Sequence, residues 1–152
     1  MTDYKLLKAQ LSSITDGIKY EIANLANASA LLATSLEDLN WAGFYLMHDG
    51  KLVLGPFQGK VACIEIPIGK GVCGSAVAQN KTQRIENVHE FPGHIACDGA
   101  SNSEIVIPIH KNGEIYGVLD IDSPKLGRFS KEDQIGLEDF VKTLEEILNM
   151  IV

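Results

Sequence analysis

The sequence predicts an α+β fold built on a mostly antiparallel sheet. Apolar residues at helical spacing fill residues 4–37 and the last two dozen positions. Between them lie short runs with the two-residue alternation of strands. Two of the connections, Asp49-Gly50 and Asn112-Gly113, are the dipeptides that close tight hairpins. Helices, then hairpin-linked strands, then a helix is the order of an α+β domain, not of alternating βα units.

Residues 4–13 and 17–37 carry Leu, Ile and Ala at helical spacing, with Gly17 as the break between two helices. Residues 40–48 (NWAGFYLMH) form a strand, Asp49-Gly50 turns the chain, and 51–54 return it. A third strand is expected over 62–68, a short helix over 71–79, and a short strand over 82–86. Residues 87–102 contain Pro92 and two glycines and are expected to be irregular. Strands over 104–110 and 114–122 follow. Ser130 is an N-cap with Asp133 three residues on, an approximate capping box. The final helix presents Ile135, Leu137, Phe140, Val141, Leu144, Ile147 and Leu148.

A chain of 152 residues makes a single domain, 1–152, that buries about 70% of its unfolded surface and needs no disulfide or metal to fold. The net charge of −7 argues against nucleic acid and anionic membranes as partners. No apolar run approaches the roughly 18 residues of a membrane span, and the first residues lack a signal-peptide pattern. The expected location is therefore the cytoplasm. Disulfides there are mostly transient and catalytic. The cysteine count of three leaves one thiol outside any single disulfide.

The hairpin SEIVIPIHKNGEIYGVLDID carries the most local information. Ile105, Ile107 and Ile109 share one face of its first strand, and Ile115, Leu119 and Ile121 one face of its second. Matching these faces pairs Ile105 with Leu119 and Ile109 with Ile115, around a three-residue loop 111–113. The opposite face then carries Glu104 directly across from Asp120, with Asp122 next along. Like charges directly opposite are destabilising. The cluster is either a solvated acidic face or a site for a cation, such as a metal or a ligand's ammonium, in which one carboxyl can keep its proton. Trp41 and Tyr45, four apart on a strand, share a face and are either core packing or the aromatic wall of a small-molecule pocket.

All three cysteines fall between residues 63 and 97. Cys63 sits in an apolar strand and best fits an inert buried thiol, whereas Cys73 and Cys97 lie where the chain turns. Gly69-Lys-Gly71-Val-Cys-Gly74 matches G-x-G-x-x-G but lacks the βαβ setting of a dinucleotide site. As a tight turn into a helix it places Cys73 at the positive end of the helix dipole. Cys63, Cys73, His94 and Cys97 also make a possible zinc set, although none of them forms a C-x₂-C knuckle.

The segments GPFQGKVAC, GKGVCG, PGHIACDGASNSEIVIPI and GVLDIDSP, preceded by NWAGFYL, resemble the free methionine-(R)-sulfoxide reductases, small stand-alone members of the GAF-domain superfamily. The resemblance runs from about Trp41 to the end of the last helix. It implies a six-stranded antiparallel sheet flanked by helices, and a homodimer. It aligns Cys97 with the catalytic cysteine, Cys63 with the resolving cysteine and Cys73 with a third cysteine of less settled part. Glu104, Asp120 and Asp122 match the carboxylates around the substrate's ammonium and sulfoxide, and Trp41 and Tyr45 the aromatic wall.

The implied reaction reduces free L-methionine (R)-S-oxide. Cys97 attacks the sulfoxide sulfur, Glu104 or Asp122 supplies a proton, and Cys97 is left as a sulfenic acid. Cys63 or Cys73 condenses with it to a disulfide, which a thioredoxin-type dithiol reduces. No cofactor or metal is expected. Asp98 and the acidic cluster should raise the Cys97 pKa, with only His94 to offset them and no Lys or Arg close in sequence. The alternative is a GAF module that senses a cyclic nucleotide or other small molecule without catalysis. It is weakened by the absence of room for an attached output domain.

Overall fold

A computed structural model of the chain describes residues 1–95, 97 and 99–151. Helices α1 (Tyr4–Thr15) and α2 (Glu21–Ser35) precede the hairpin β1 (Trp41–His48) and β2 (Lys51–Gly59). Strand β3 (Glu65–Ile66), helix α3 (Gly71–Gln79) and strand β4 (Gln83–Ile85) follow. The hairpin β5 (Ser103–Lys111) and β6 (Glu114–Ser123) and helix α4 (Lys131–Asn149) complete the chain. The six strands form one antiparallel sheet in the order β3-β2-β1-β6-β5-β4, which is the α+β architecture expected.

The sheet separates two apolar layers. On one face, Leu7, Leu11, Leu25, Leu32, Leu137, Phe140 and Leu144 from α1, α2 and α4 pack on Phe44, Ile105, Ile107, Leu119 and Ile121. On the other face α3 lays Val72, Cys73, Ala76 and Val77 over Tyr45, Val106 and Val118. The helix stops are local. Gly17, at φ +71°, ends the first helical run, so α2 starts only at Glu21. Ser130 Oγ accepts from the Asp133 N–H while Asp133 accepts from the Ser130 N–H, completing the capping box of α4. Asp133 also accepts from the Tyr4 hydroxyl at 2.6 Å and ties α1 to α4. Ile135 is the one residue of the expected α4 stripe that stands exposed.

Two strands differ from expectation. β2 continues to Gly59 through Gly55-Pro56, because β3 pairs only with Leu52 and Val53 and leaves that edge free, where a proline costs no ladder bond. The expected strand 62–68 shrinks to Glu65–Ile66, with Pro67 ending it and Val61 and Ile64 exposed.

The β5–β6 register also differs. Asn112 and Gly113 both have positive φ, so the loop has two residues and pairs Lys111 with Glu114. Carried straight on, that register would oppose apolar to acidic faces. A bulge that leaves Tyr116 unpaired corrects it, since His110 faces Ile115 but Ile109 faces Gly117. Ile105 therefore pairs with Ile121, not Leu119, and Ile115 turns to the α3 face. Glu104 lies across from Asp122, not Asp120, which sits one step along the same face opposite Val106.

Gly117 is fixed by close approach, because a Cβ there would lie 2.3 Å from the Tyr45 carbonyl oxygen. Gly117→Ala should destabilise the protein by about 1–3 kcal/mol, read as a lower urea midpoint. An unchanged midpoint would contradict this packing.

Candidate active site

The face of the sheet under α3 gathers the candidate residues. β5 and β6 present Glu104, Asp120 and Asp122 side by side, and β1 presents Trp41 and Tyr45. With the first turn of α3 and the segment before β5, these residues line a cavity of about 40 Å³. Its wall also includes Ala62, Ile66, Cys73, His94, Ile95, Cys97 and Ser101. Every site residue read from the sequence reaches this cavity except Cys63, which is held at its edge through Cys97.

The carboxylates are not a solvated face. Glu104 is 6% exposed and Asp120 5%. Burial pushes the Glu104 carboxyl well above the usual range, and the neighbouring Asp120 and Asp122 push it further. Asp120 is raised too, again by burial, but hydrogen bonds from Glu104 and Cys73 work in the opposite sense. Glu104 thus keeps its proton more tightly and donates it, while Asp120 accepts. The second oxygen of Asp120, Oδ1, has no hydrogen-bond partner among the described residues. An unpaired buried carboxylate oxygen carries its full desolvation cost, which a hydrogen-bond donor placed there would relieve.

Trp41 and Tyr45 serve as core and wall together. Both are buried, with ring centroids 5.8 Å apart. Phe57, which sequence reading missed, extends the stack at 5.1 Å from Trp41. The Trp41 indole N–H donates to the Lys60 carbonyl at 3.2 Å and the Tyr45 hydroxyl to the Cys63 carbonyl at 2.9 Å. Desolvation and the acidic cluster keep that hydroxyl protonated. Tyr45 therefore holds the Cys63 backbone directly, and Trp41 holds the chain three residues before it.

Cys63 and Cys97 are joined by a disulfide across a separation of 34 residues. This corrects the reading of Cys63 as an inert thiol in a strand, for it lies before β3 in irregular chain. The bond also takes two of the four residues of the possible zinc set. Cys73 is the free thiol, at the third position of α3 as expected. The helix dipole does not activate it. Burial, then Asp120 and Glu104, raise its pKa. Gly71 takes φ +62° where the chain turns into α3, which accounts for the glycine pattern without a nucleotide.

His94 is shifted down by burial and by His89, so it is a neutral neighbour, not a cation that would activate Cys97. No Lys or Arg appears among the described residues lining the cavity. Asp98, named above beside Cys97, lies outside the described residues. Hydrogen bonds anchor the irregular segment near both ends. Val88 N donates to the Asn102 carbonyl at 2.9 Å, and Asn102 N to the Ser123 carbonyl at 2.8 Å. Asn40 Nδ2 donates to Ser101 Oγ at 3.0 Å.

The GAF domain family matches residues 24–149. The free methionine-R-sulfoxide reductase of Escherichia coli K12 is 57% identical over 145 residues, covering 95% of this chain and 88% of that protein. The structure of fRMsr of Staphylococcus aureus in complex with substrate is 52% identical, superimposes with a TM-score of 0.93 and covers 97% of each chain. The structure of the Neisseria meningitidis free methionine-R-sulfoxide reductase in complex with its substrate is 41% identical, with a TM-score of 0.92, covering 95% of this chain and 87% of that one. Sequence and fold agree, and the chain belongs to the free methionine-(R)-sulfoxide reductase family of GAF domains.

Proposed function

We propose that this chain, working as one GAF unit over residues 1–152, reduces free L-methionine (R)-S-oxide to L-methionine. The observation that carries the reading is the Cys63–Cys97 disulfide at a cavity floored by three carboxyl groups. A buried acidic wall with an unpartnered oxygen suits an ammonium group, and a redox-active thiol beside it suits a sulfoxide. A sensing module without catalysis would give that disulfide no role.

Cys97 attacks the sulfoxide sulfur. The oxygen accepts a proton from Glu104, whose carboxyl is held neutral by burial and by its two acidic neighbours. Oxygen passes to Cys97 as sulfenic acid, and methionine leaves with the two electrons. The Cys63 thiol attacks that sulfur, water departs, and the disulfide forms. Cys73 is a poor resolving thiol, buried and hydrogen-bonded to Asp120. The substrate's ammonium neutralises Asp120 and Asp122 and so removes the negative field that opposes a thiolate at Cys97.

We take a dithiol protein of the thioredoxin type as the reductant, acting in the cytoplasm on a homodimer. Val61 and Ile64, exposed around Cys63, supply apolar ground on which such a protein can seat. Among the described residues no helix is long and apolar enough to cross a membrane.

Single-turnover chemistry tests the thiol roles. Cys97→Ser should release no methionine. Cys63→Ser should release about one per chain and then stall, because attack survives and resolution does not. A full burst from Cys97→Ser would remove the nucleophile from this position. Equal steady-state rates in both variants and the parent would return the chain to ligand sensing.

A pH profile tests the proton donor. A carboxyl raised by burial donates below its shifted pKa and loses that proton as pH rises through it, so kcat/KM should fall on the alkaline side. Glu104→Gln removes the transferable proton, so it should lower turnover by about a hundredfold or more and abolish that limb. An identical profile in the variant would assign the proton to another group.

A further inference from the structure

We propose that the acidic wall doubles as an inhibitory site for a thiophilic divalent cation, with zinc the natural candidate, held by Cys73, Glu104 and Asp120. One ligand atom from each of these side chains lies within 4.8 Å of the other two. All three residues are buried, at 4%, 6% and 5% exposure. A tetrahedral zinc ion holds sulfur and oxygen ligands roughly 3.3–3.6 Å apart, so closing the set asks about an ångström of side-chain movement. Asp120 lines the cavity, and its Oδ1, buried and without a hydrogen-bond partner among the described residues, supplies the vacant acceptor. Protons shared from Glu104 and Cys73 to Asp120 now hold the cluster together, and a metal ion would replace them. Asp122, His94 or water can complete the coordination, since both residues line the same cavity.

The thiolate decides which ion. Sulfur with carboxylate oxygens suits zinc or cadmium, whereas magnesium and calcium prefer oxygen alone. This is a different set from Cys63, Cys73, His94 and Cys97, two of which the disulfide occupies. The ion takes no part in turnover. It occupies the ground assigned to the substrate's ammonium, a point that rests on the proposed function, and so it competes with free methionine and its sulfoxide.

The test is calorimetric titration of zinc chloride into the full chain with its Cys63–Cys97 disulfide formed, so that those thiols offer no ligand. Cadmium chloride serves as a second probe through its thiolate charge-transfer absorption. The expected result is one ion per chain and a cadmium band. Cys73→Ser, shown to be folded by circular dichroism, should weaken binding at least tenfold and lose the band. Saturating L-methionine should weaken zinc binding to the parent at least tenfold, and magnesium chloride should give no heat. Absence of one-to-one binding in the parent, binding that Cys73→Ser leaves unchanged, or binding indifferent to methionine would overturn the shared site. Turnover measured before metal is added separates the two readings. A chain that reduces free methionine sulfoxide yet binds no zinc loses only the metal site. A chain that binds zinc through Cys73 without turnover loses only the reductase reading.

Discussion

Three carboxyl groups share one wall of a cavity whose described lining contains no Lys or Arg. That arrangement cannot be fully ionised, because Glu104 and Asp120 are buried and two buried like charges in contact repel strongly. The chain resolves the conflict by keeping a proton on Glu104 and sharing it with Asp120. The same conflict explains the proposed chemistry. A ligand bearing an ammonium group relieves it, a retained proton is available to a departing oxygen, and the negative field around Cys97 weakens only when that ligand is present. Recognition, acid catalysis and control of the thiol then share one electrostatic origin.

The scaffold serves this wall through a few local devices. The bulge at Tyr116 turns Asp120 and Asp122 to the same face as Glu104, while Leu119 and Ile121 stay in the opposite core. The Tyr45 hydroxyl reaches from β1 to the Cys63 carbonyl and fixes one end of the disulfide pair. Packing of α3 over β5 and β6 seals the wall from water and places Cys73 against it. A change in any of these would alter the site without touching a reacting atom.

Much of this was legible in the sequence because it follows from alternation and turn chemistry. The faces of β5 and β6 follow from the Ile and Asp periodicity, α3 from its bounds at Gly71 and Gln79, and the α4 start from Ser130 and Asp133. The exact partner of Glu104 was not legible. A three-residue loop and a two-residue loop with a bulge both satisfy the same face pattern, and they differ by two residues in register. Nor was Phe57 visible as part of the aromatic stack, since its place depends on the β1–β2 pairing that sets it across from Gly43. Cys63 reads as a strand thiol because Val61, Ala62 and Ile64 make an apolar run around it, yet Val61 and Ile64 are exposed. The family resemblance supplied the pairing role of Cys63, which no local pattern encodes.

The central claim is that the buried carboxylates read the free amino group of the substrate. It is tested most directly by the ratio of kcat/KM for free L-methionine (R)-S-oxide to that for its N-acetyl derivative. Acetylation removes the charge and leaves the sulfoxide unchanged. Losing a charge-assisted contact costs about 1.5–3 kcal/mol, so the ratio should be at least about tenfold, and larger because the wall is left uncompensated. Equal values for the two compounds would contradict the account.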